Sequence, residues 1–194
     1  MQNYIADQLR EAQRVMSVML TDVHLIATVE AIANACIHCL QRGGKILLAG
    51  NGGSAADAQH IAGEFVSRFA FDRPALPAIA LTTDTSILTA IGNDYGYEKL
   101  FARQIQAHGK AGDVFFAYST SGRSPNILRA LEQSRALKVI CVGLTGNRGG
   151  PIGGLCDHLL EVPSSDTPKI QEAHLVLGHI LCGLVELTMF DAEQ

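Results

Sequence analysis

The sequence predicts an α/β fold: a doubly wound, five-stranded parallel sheet in the flavodoxin-like strand order 2-1-3-4-5, with extra helices at both ends. Three observations lead to this prediction. Five short apolar runs are unbroken by polar residues, which is typical of parallel strands buried on both faces. Helical patterns separate these runs. Two more helical patterns precede the first run, and a long one follows the last.

Each element is predicted in chain order from its apolar pattern and its boundary residues. Residues 3–20 and 22–41 have the periodicity of two helices, and Gly43 and Gly44 end the second. The predicted strands are "KILLAG", "PAIAL", "DVFFAY", "KVICVGL" and "DHLLEV". The last helix is predicted to begin near Thr167 and Pro168, because threonine can cap a helix and proline suits its first position.

Length and composition indicate one domain that spans residues 1–194. We expect residues 1–42 to form helices for oligomerisation, and residues 43–194 to form the ligand-binding α/β core and the last helix. The net charge of −4, without a lysine-arginine cluster, gives no sign of a nucleic-acid partner. The apolar segment 175–190 is shorter than a membrane span and is interrupted by His179 and Glu186, so no membrane partner is expected and the protein is predicted to be cytoplasmic.

The five cysteines are an odd number and lie mostly in apolar segments. Cys36 and Cys39 form a C-x-x-C pair, but their surroundings have a helical pattern without the preceding strand that a redox motif needs. We therefore predict small buried thiols in a reducing compartment.

Two loops have the composition of anion-binding turns. "GNGGSAA" follows the first strand, where glycines permit a sharp turn and Ser54 is placed to cap the next helix. "STSGRSPN" follows the third strand, with Ser124 as the predicted cap and Pro125 at the first helical position. In the order 2-1-3-4-5 ligands bind between strands one and three, so both loops are predicted to converge on one phosphate group.

A dinucleotide site is the alternative for the first loop. Gly50, Gly52 and Ala55 fit the pattern G-x-G-x-x-[GA]. The acidic residue expected about 20 positions later, which would bind a ribose, is missing, because Asp84 comes too late. The second loop also has no role in a dinucleotide site, so a small phosphorylated metabolite fits the sequence better.

A histidine and a carboxylate follow the first loop. His60 and Glu64 share one helix face, and His179 interrupts the apolar pattern of the last helix. A carboxylate with a histidine could exchange protons with a sugar during aldose-ketose isomerisation. The same groups could instead bind zinc, which would polarise a carbonyl. His179 could also be an ordinary core histidine, and the spacing alone leaves these alternatives open.

Five segments together identify a family resemblance. "GNGGSAADAQHIAGEF", "TAIGNDYG", "STSGRSPN", "GLTGNRGG" and "IQEAHLVLGHI" resemble the sugar isomerase (SIS) family, in the same order and over nearly the whole chain. The resemblance implies a cytoplasmic homotetramer that converts D-sedoheptulose 7-phosphate to D-glycero-D-manno-heptose 7-phosphate. This reaction is the first step of nucleotide-activated heptose synthesis for the bacterial envelope, including lipopolysaccharide.

The resemblance also implies roles for individual residues. Zinc would be held by His60, Glu64, Gln171 and His179, and Glu64 with His179 would also match the catalytic acid-base pair. The substrate-binding residues would be Asn51, Gly52, Gly53, Ser54, Glu64, Asn93, Asp94, Ser119, Thr120, Ser121, Ser124 and Gln171. The metal and acid-base roles compete, because a side chain bound to a metal is a poorer proton carrier.

The same family supplies the alternative function. It contains a non-catalytic SIS-domain protein that binds the initiator of chromosomal replication. That branch lacks the residues that correspond to Glu64 and His179, whereas this sequence has both. The sequence therefore favours the enzyme.

Overall fold

The computed structural model describes residues 1–190. The strands are β1 (Ile46–Ala49), β2 (Ala78–Ala80), β3 (Val114–Tyr118), β4 (Ile140–Gly146) and β5 (His158–Val162). They form one sheet in the order β2-β1-β3-β4-β5, and all four pairings are parallel. The predicted fold class and strand order are confirmed, and each predicted strand boundary lies within two residues of the observed one.

Within residues 1–190, seven α-helices cover the two faces of the sheet. They are α1 (Gln2–Thr21), α2 (Val23–Gln41), α3 (Gly53–Val66), α4 (Thr85–Tyr95), α5 (Leu100–His108), α6 (Pro125–Ala136) and α7 (Thr167–Phe190). One apolar core lies between the sheet and α1, α2, α3 and α7, and a second lies between the sheet and α4, α5 and α6. Because successive strand residues point to opposite faces, Leu48 of β1 packs into the first core and Leu47 into the second.

The helix ends show which boundary residues act as caps. The Asp22 side chain accepts hydrogen bonds from the N–H groups of His24 and Leu25, both at 3.0 Å, so it caps α2. Gly43, with a φ of 74°, follows α2 as predicted. The predicted cap at Thr167 is wrong, because Thr167 is already the first residue of α7.

Carboxylates hold together the edge of the sheet where the strands begin. Asp113, directly before β3, accepts hydrogen bonds from the backbone N–H groups of Lys45 at 3.0 Å and Lys110 at 2.9 Å. Its second bond to Lys45, from Nζ at 2.6 Å, is an ion pair. Asp157, before β5, accepts from the N–H of Cys141 at 2.7 Å. These contacts join β1, β3, β4 and β5 at their amino ends.

The two most apolar helices each bury one face against the sheet. By length and composition α2 and α7 could each cross a membrane, but core helices pass the same test. Both contribute many residues to the first core. Cys36 and Cys39 lie within α2 and are buried, as predicted, and burial raises the pKa of Cys39 to about 11. The thiol is therefore protonated near neutral pH, which disfavours redox chemistry.

Candidate active site

The first loop brings the N-terminus of α3 close to α7. Gly52 has a φ of 57°, a left-handed conformation that favours glycine, and it occupies the cap position of α3. A Cβ on Gly53 would lie 2.6 Å from Nε2 of Gln171, so a larger residue here would displace the end of the Gln171 side chain. The predicted Ser54 cap is wrong, because Ser54 lies inside the first helical turn, 3% exposed. The free N–H groups of this turn still favour an anion.

The second loop is held by its own hydroxyl groups. Ser119 follows β3 and is buried, and its Oγ donates a hydrogen bond to Oγ of Ser124 at 3.0 Å. The Oγ of Ser121 accepts from the N–H of Arg123 at 3.2 Å. Ser124 occupies the cap position of α6 with Pro125 next, as predicted, although its side chain makes no capping hydrogen bond within the described residues. Thr120, between Ser119 and Ser121, is half-buried, and its carbonyl accepts a hydrogen bond from the N–H of Gly146 at 3.1 Å.

A pair of asparagines joins the two loops. Asn51 and Asn126 exchange two side-chain hydrogen bonds, at 2.9 and 2.8 Å, and the Tyr97 hydroxyl donates to Oδ1 of Asn51 at 3.0 Å. Because β1 and β3 are adjacent, both loops leave the same edge of the sheet. The predicted proximity of the loops is confirmed, whereas phosphate binding stays a prediction. Asn126 and Tyr97 were not predicted to belong to the site.

Asn93 and Asp94 lie elsewhere in this chain. Both are exposed on α4, and the side-chain amide of Asn93 donates to Oδ1 of Asp94 at 2.8 Å. Asp94 lines a groove that also includes Ile87 and His108. Within residues 1–190 neither side chain makes a hydrogen bond to the two loops. Their part in substrate binding therefore stays a prediction.

Two parallel helices bring His60, Glu64 and His179 together. A Cβ on Gly178 of α7 would lie 2.6 Å from Cδ1 of Ile61 on α3, so the helices touch at this level. Nε2 of His60 lies 2.8 Å from Nε2 of His179 and 3.2 Å from Oε1 of Glu64. The three side chains form a cluster that is reachable from solvent, with side-chain exposures of 47% for His60 and 21% for Glu64. His179 is thus half-buried beside His60 instead of enclosed in the apolar core, and its role in a site stays a prediction.

The cluster has suitable donors for a metal ion. One ligand atom from each of the three residues lies within 4.8 Å of the others. Zinc with bonds of about 2.0–2.1 Å separates tetrahedral ligands by about 3.3 Å, so these donors need only small shifts to share an ion. Gln171, the fourth predicted ligand, lies eight residues before His179, or about 12 Å along the helix, and contacts Gly53 instead. Its role as a ligand stays a prediction.

Polar side chains that the sequence analysis did not assign lie buried behind the cluster. Burial raises the pKa of Asp57, which precedes His60 on α3, to about 6, although His60 partly opposes this effect. Burial lowers the pKa of His174 to about 4, and its ring lies 5.8 Å from that of Tyr118. Four buried atoms have no hydrogen-bond partner among residues 1–190: Asp57 Oδ2, Tyr118 Oη, Thr145 Oγ1 and His174 Nδ1.

Comparisons with known proteins identify the family of the chain. The family model for the SIS domain matches residues 9–146. The chain is 71% identical to the phosphoheptose isomerase of Burkholderia pseudomallei over 190 residues, which cover 98% of this chain and 96% of that protein. It is 58% identical to the phosphoheptose isomerase of Aneurinibacillus thermoaerophilus over the same length, with the same coverage. The structure of phosphoheptose isomerase GmhA from Neisseria gonorrhoeae superposes with a TM-score of 0.89 at 41% identity, and covers 95% of this chain and 98% of that one.

The fold and the two serine-containing loops define the class as an α/β protein of the SIS type. Within that class, the chain belongs to the phosphoheptose isomerase family of SIS-domain proteins. The alternative of a non-catalytic, initiator-binding protein receives no support from these comparisons. The two residues that favoured the enzyme, Glu64 and His179, lie in one cluster.

Proposed function

We propose that this enzyme interconverts D-sedoheptulose 7-phosphate and D-glycero-D-manno-heptose 7-phosphate. One observation carries the proposal: the first of the two asparagine-linked loops leads directly into the helix that carries His60 and Glu64. From Gly53 to His60 the helix rises about 10 Å, a length that suits an extended seven-carbon chain. The loops would hold the phosphate, and the cluster would meet the carbonyl end of the sugar.

The phosphate end is bound by groups that carry no formal positive charge. The N–H groups at the start of α3 and the serine hydroxyls supply hydrogen bonds, and the helix dipole favours the negative charge. The proposed substrate contacts are Asn51, Gly52, Gly53, Ser54, Glu64, Asn93, Asp94, Ser119, Thr120, Ser121, Ser124 and Gln171. The joined asparagines keep the two loops at a fixed separation, so the phosphate site is preorganised.

The reaction moves two protons. In the direction from ketose to aldose, Glu64 takes a proton from C1 while the O2 carbonyl gains one, which gives an enediol. The same proton then returns to C2, and the O1 hydroxyl loses its proton as the aldehyde forms. His179, next to His60 on the facing helix, is placed to give and take the oxygen-bound protons. No net oxidation occurs, because one carbon is reduced as its neighbour is oxidised.

The proposal also includes a zinc ion at the cluster. Zinc, when bound by His60, Glu64, Gln171 and His179, would supply a Lewis acid that polarises the sugar carbonyl. The donor set of the cluster supports zinc, because imidazole nitrogens and a carboxylate oxygen are its usual ligands. In that arrangement Glu64 and His179 orient the reacting oxygens instead of carrying every proton themselves.

The assembly and location follow from the surface and the family. An apolar groove between α1, α2 and α7 leaves Leu20 77% exposed and Ile180 46% exposed, more than an isolated domain usually tolerates. We propose that residues 1–42 together with α7 form the contacts of a homotetramer. Of the proposed core, 43–194, the last four residues lie outside the described part. The enzyme would act in the cytoplasm, at the first step of nucleotide-activated heptose synthesis for lipopolysaccharide.

An isomerase assay tests the proposal. Purified enzyme is incubated with sedoheptulose 7-phosphate, with and without a chelator, and the aldose product is measured. We expect turnover in the untreated enzyme, loss after chelation and recovery with added zinc. Full activity of metal-free protein would leave Glu64 and His179 as a plain acid-base pair. No turnover with the heptulose phosphate under any condition would reject the proposed substrate.

A further inference from the structure

A buried carboxylate holds the segment that follows α3. Glu186 lies on α7, seven residues after His179, and is 1% exposed. Its two oxygens accept hydrogen bonds from the backbone N–H groups of residues 69, 70 and 71, at 2.8, 2.7 and 3.3 Å in that order. Nε of Arg73 adds a further bond at 2.9 Å, which completes a buried ion pair. One side chain of α7 thus fixes the whole segment that leaves α3.

Arg73 attaches the same segment to the end of α3. Its Nη2 donates to the carbonyl of Glu64 at 2.8 Å, and its Nη1 donates to the carbonyl of Phe65 at 2.7 Å. Carbonyls in the last turn of a helix have no partner within the helix, and a cation there is favourable. The guanidinium therefore connects the backbone of the residue that bears the Glu64 carboxylate to Glu186.

Phe69, in the same segment, contacts His179 of the cluster. The two rings lie 5.6 Å apart between centroids, at an interplanar angle of 36°. A Cβ on Gly183 would lie 3.3 Å from the ring of Phe69, so the glycine leaves room for the ring against α7. The segment held by Glu186 therefore touches one member of the cluster through Phe69 and another through Arg73.

Stability alone gives little reason for charges at this position. Burial by itself raises the pKa of Glu186, but the hydrogen bonds from the backbone of residues 69–71 and from Arg73 outweigh it, so the pKa lies below its ordinary value. The carboxylate is therefore ionised near neutral pH. Well-packed apolar residues commonly stabilise a fold as well as a buried ion pair does. The pair does provide a fixed geometry, because four directed hydrogen bonds hold Glu186 of α7 to the segment after α3, and Arg73 adds two to the end of α3 itself.

We propose that Glu186 and Arg73 are positioning residues that set the spacing between Glu64 and His179. They act by locking the end of α3 against α7, and they touch neither the sugar nor the cluster side chains. This inference rests on the proposed function, in which Glu64 and His179 work together on the substrate or on zinc. The phosphate loops lie at the opposite end of α3, so substrate affinity should not depend on the pair.

The main test is the variant Glu186→Gln, which keeps the shape and removes the charge. We expect kcat to fall at least tenfold, while KM for sedoheptulose 7-phosphate changes less than twofold. Zinc affinity, measured by competition with a chromophoric chelator, should weaken at least tenfold. Arg73→Lys serves as a second variant if Glu186→Gln does not fold. It keeps the charge, but one ammonium group cannot bind Glu186 and both carbonyls, so the same effects are expected.

Asp113→Asn is the matched control. Asp113 is also a buried carboxylate that accepts backbone N–H bonds and pairs with a cation, but it lies at the opposite edge of the sheet. Its loss should lower the melting temperature and leave kcat and zinc affinity at the parent values. A folded Glu186→Gln variant with parent kcat and parent zinc affinity would overturn the proposal, and so would equal effects of Asp113→Asn on both quantities.

Failure of the proposed function can be told apart from failure of this inference. If the parent does not isomerise the heptulose phosphate, the proposed function is wrong. The zinc affinities of the variants then decide whether Glu186 and Arg73 position the cluster. If the parent isomerises the substrate without zinc, the kinetics of Glu186→Gln decide whether the pair has a positioning role. A lower kcat with a nearly unchanged KM would support it. In both cases a parent-like Glu186→Gln variant counts against a positioning role.

Discussion

The two edges of the sheet treat their buried polar groups differently. At the amino edge, both oxygens of Asp113 are bonded, and Asp157 holds the N–H of Cys141. At the carboxyl edge, four buried polar atoms have no partner among the described residues. A buried polar group costs about 1–3 kcal/mol if nothing pairs with it, a cost that the bonded carboxylates of the amino edge avoid. The proposed ligand site therefore lies at the edge with unpaired polar groups, opposite the edge where the carboxylates are bonded.

The first prediction concerns the charge of Glu64 at the carboxyl edge. Glu64→Gln keeps the shape but cannot take a proton or bind a metal as a carboxylate. We expect kcat to fall at least about a thousandfold, or about 4 kcal/mol of barrier, with sugar-phosphate binding largely retained, because the loops are untouched. Rapid-quench assays and calorimetric titration measure the two quantities, and His179→Ala should behave similarly.

Parent-like turnover in Glu64→Gln would remove the residue from catalysis under either scheme. Metal analysis of the same variants separates the two roles. Zinc lost from both, with activity of the parent restored by zinc after chelation, would support ligation.

The second prediction uses the pH dependence of stability at the carboxyl edge. The pKa of buried His174 is lowered to about 4, so the unfolded chain binds a proton first as the pH falls below about 6.5. Through this group, the free energy of unfolding should therefore fall by about 3 kcal/mol as the pH falls from 6.5 to 4, and should not change above pH 6.5. His174→Asn should remove this loss, as measured by urea unfolding at several pH values.

Asp57 provides the converse control for that measurement. Its pKa is raised to about 6, so between about pH 4 and 6 the native state holds the extra proton and gains stability as the pH falls. In the Asp57→Asn variant, the free energy of unfolding should fall more steeply with falling pH than in the parent. An acid loss unchanged in both variants would mean that neither group is buried as the structure places it.

The smallest expected effect concerns the phosphate loops. Ser119→Ala with Ser124→Ala removes the hydroxyl pair that closes the second loop. Because each lost hydrogen bond is worth about 1 kcal/mol, KM should rise roughly thirtyfold, with the fold intact by circular dichroism. Unchanged kinetics would reject the phosphate site, and tight binding of NAD would restore the dinucleotide alternative. Ser134→Ala, whose hydroxyl donates only to the carbonyl of Ala130 within α6, is the control.

The parts of the fold that depend on local patterns were predictable. Apolar runs specify buried strands, and glycine with serine after a strand specifies a turn, so the order of elements and the proximity of the loops follow from neighbouring residues. The pair His60 and Glu64 was also accessible, since four residues span one helical turn. His179 could be connected to them only through the family resemblance.

The remaining features depend on contacts between distant parts of the chain. Arg73 and Glu186 are 113 residues apart, and no local pattern indicates that they meet. Asn51 and Asn126 are 75 apart and have the composition of ordinary loops. The predicted Ser54 cap failed for a local reason, since Gly52 adopts a left-handed conformation and starts the helix earlier than a serine cap would.

The parallel course of α3 and α7 has a consequence for substrate size. The helices touch near Gly53 and Gln171 at one end and at His60 and His179 at the other, so a fixed length separates the two ends of the site. A ketose phosphate anchored at the loops falls short by about 1.3 Å for each carbon it lacks. Pentulose and hexulose phosphates would then be bound as inhibitors and left unconverted. Discrimination by chain length would reside in the helix backbones, with no side chain dedicated to it.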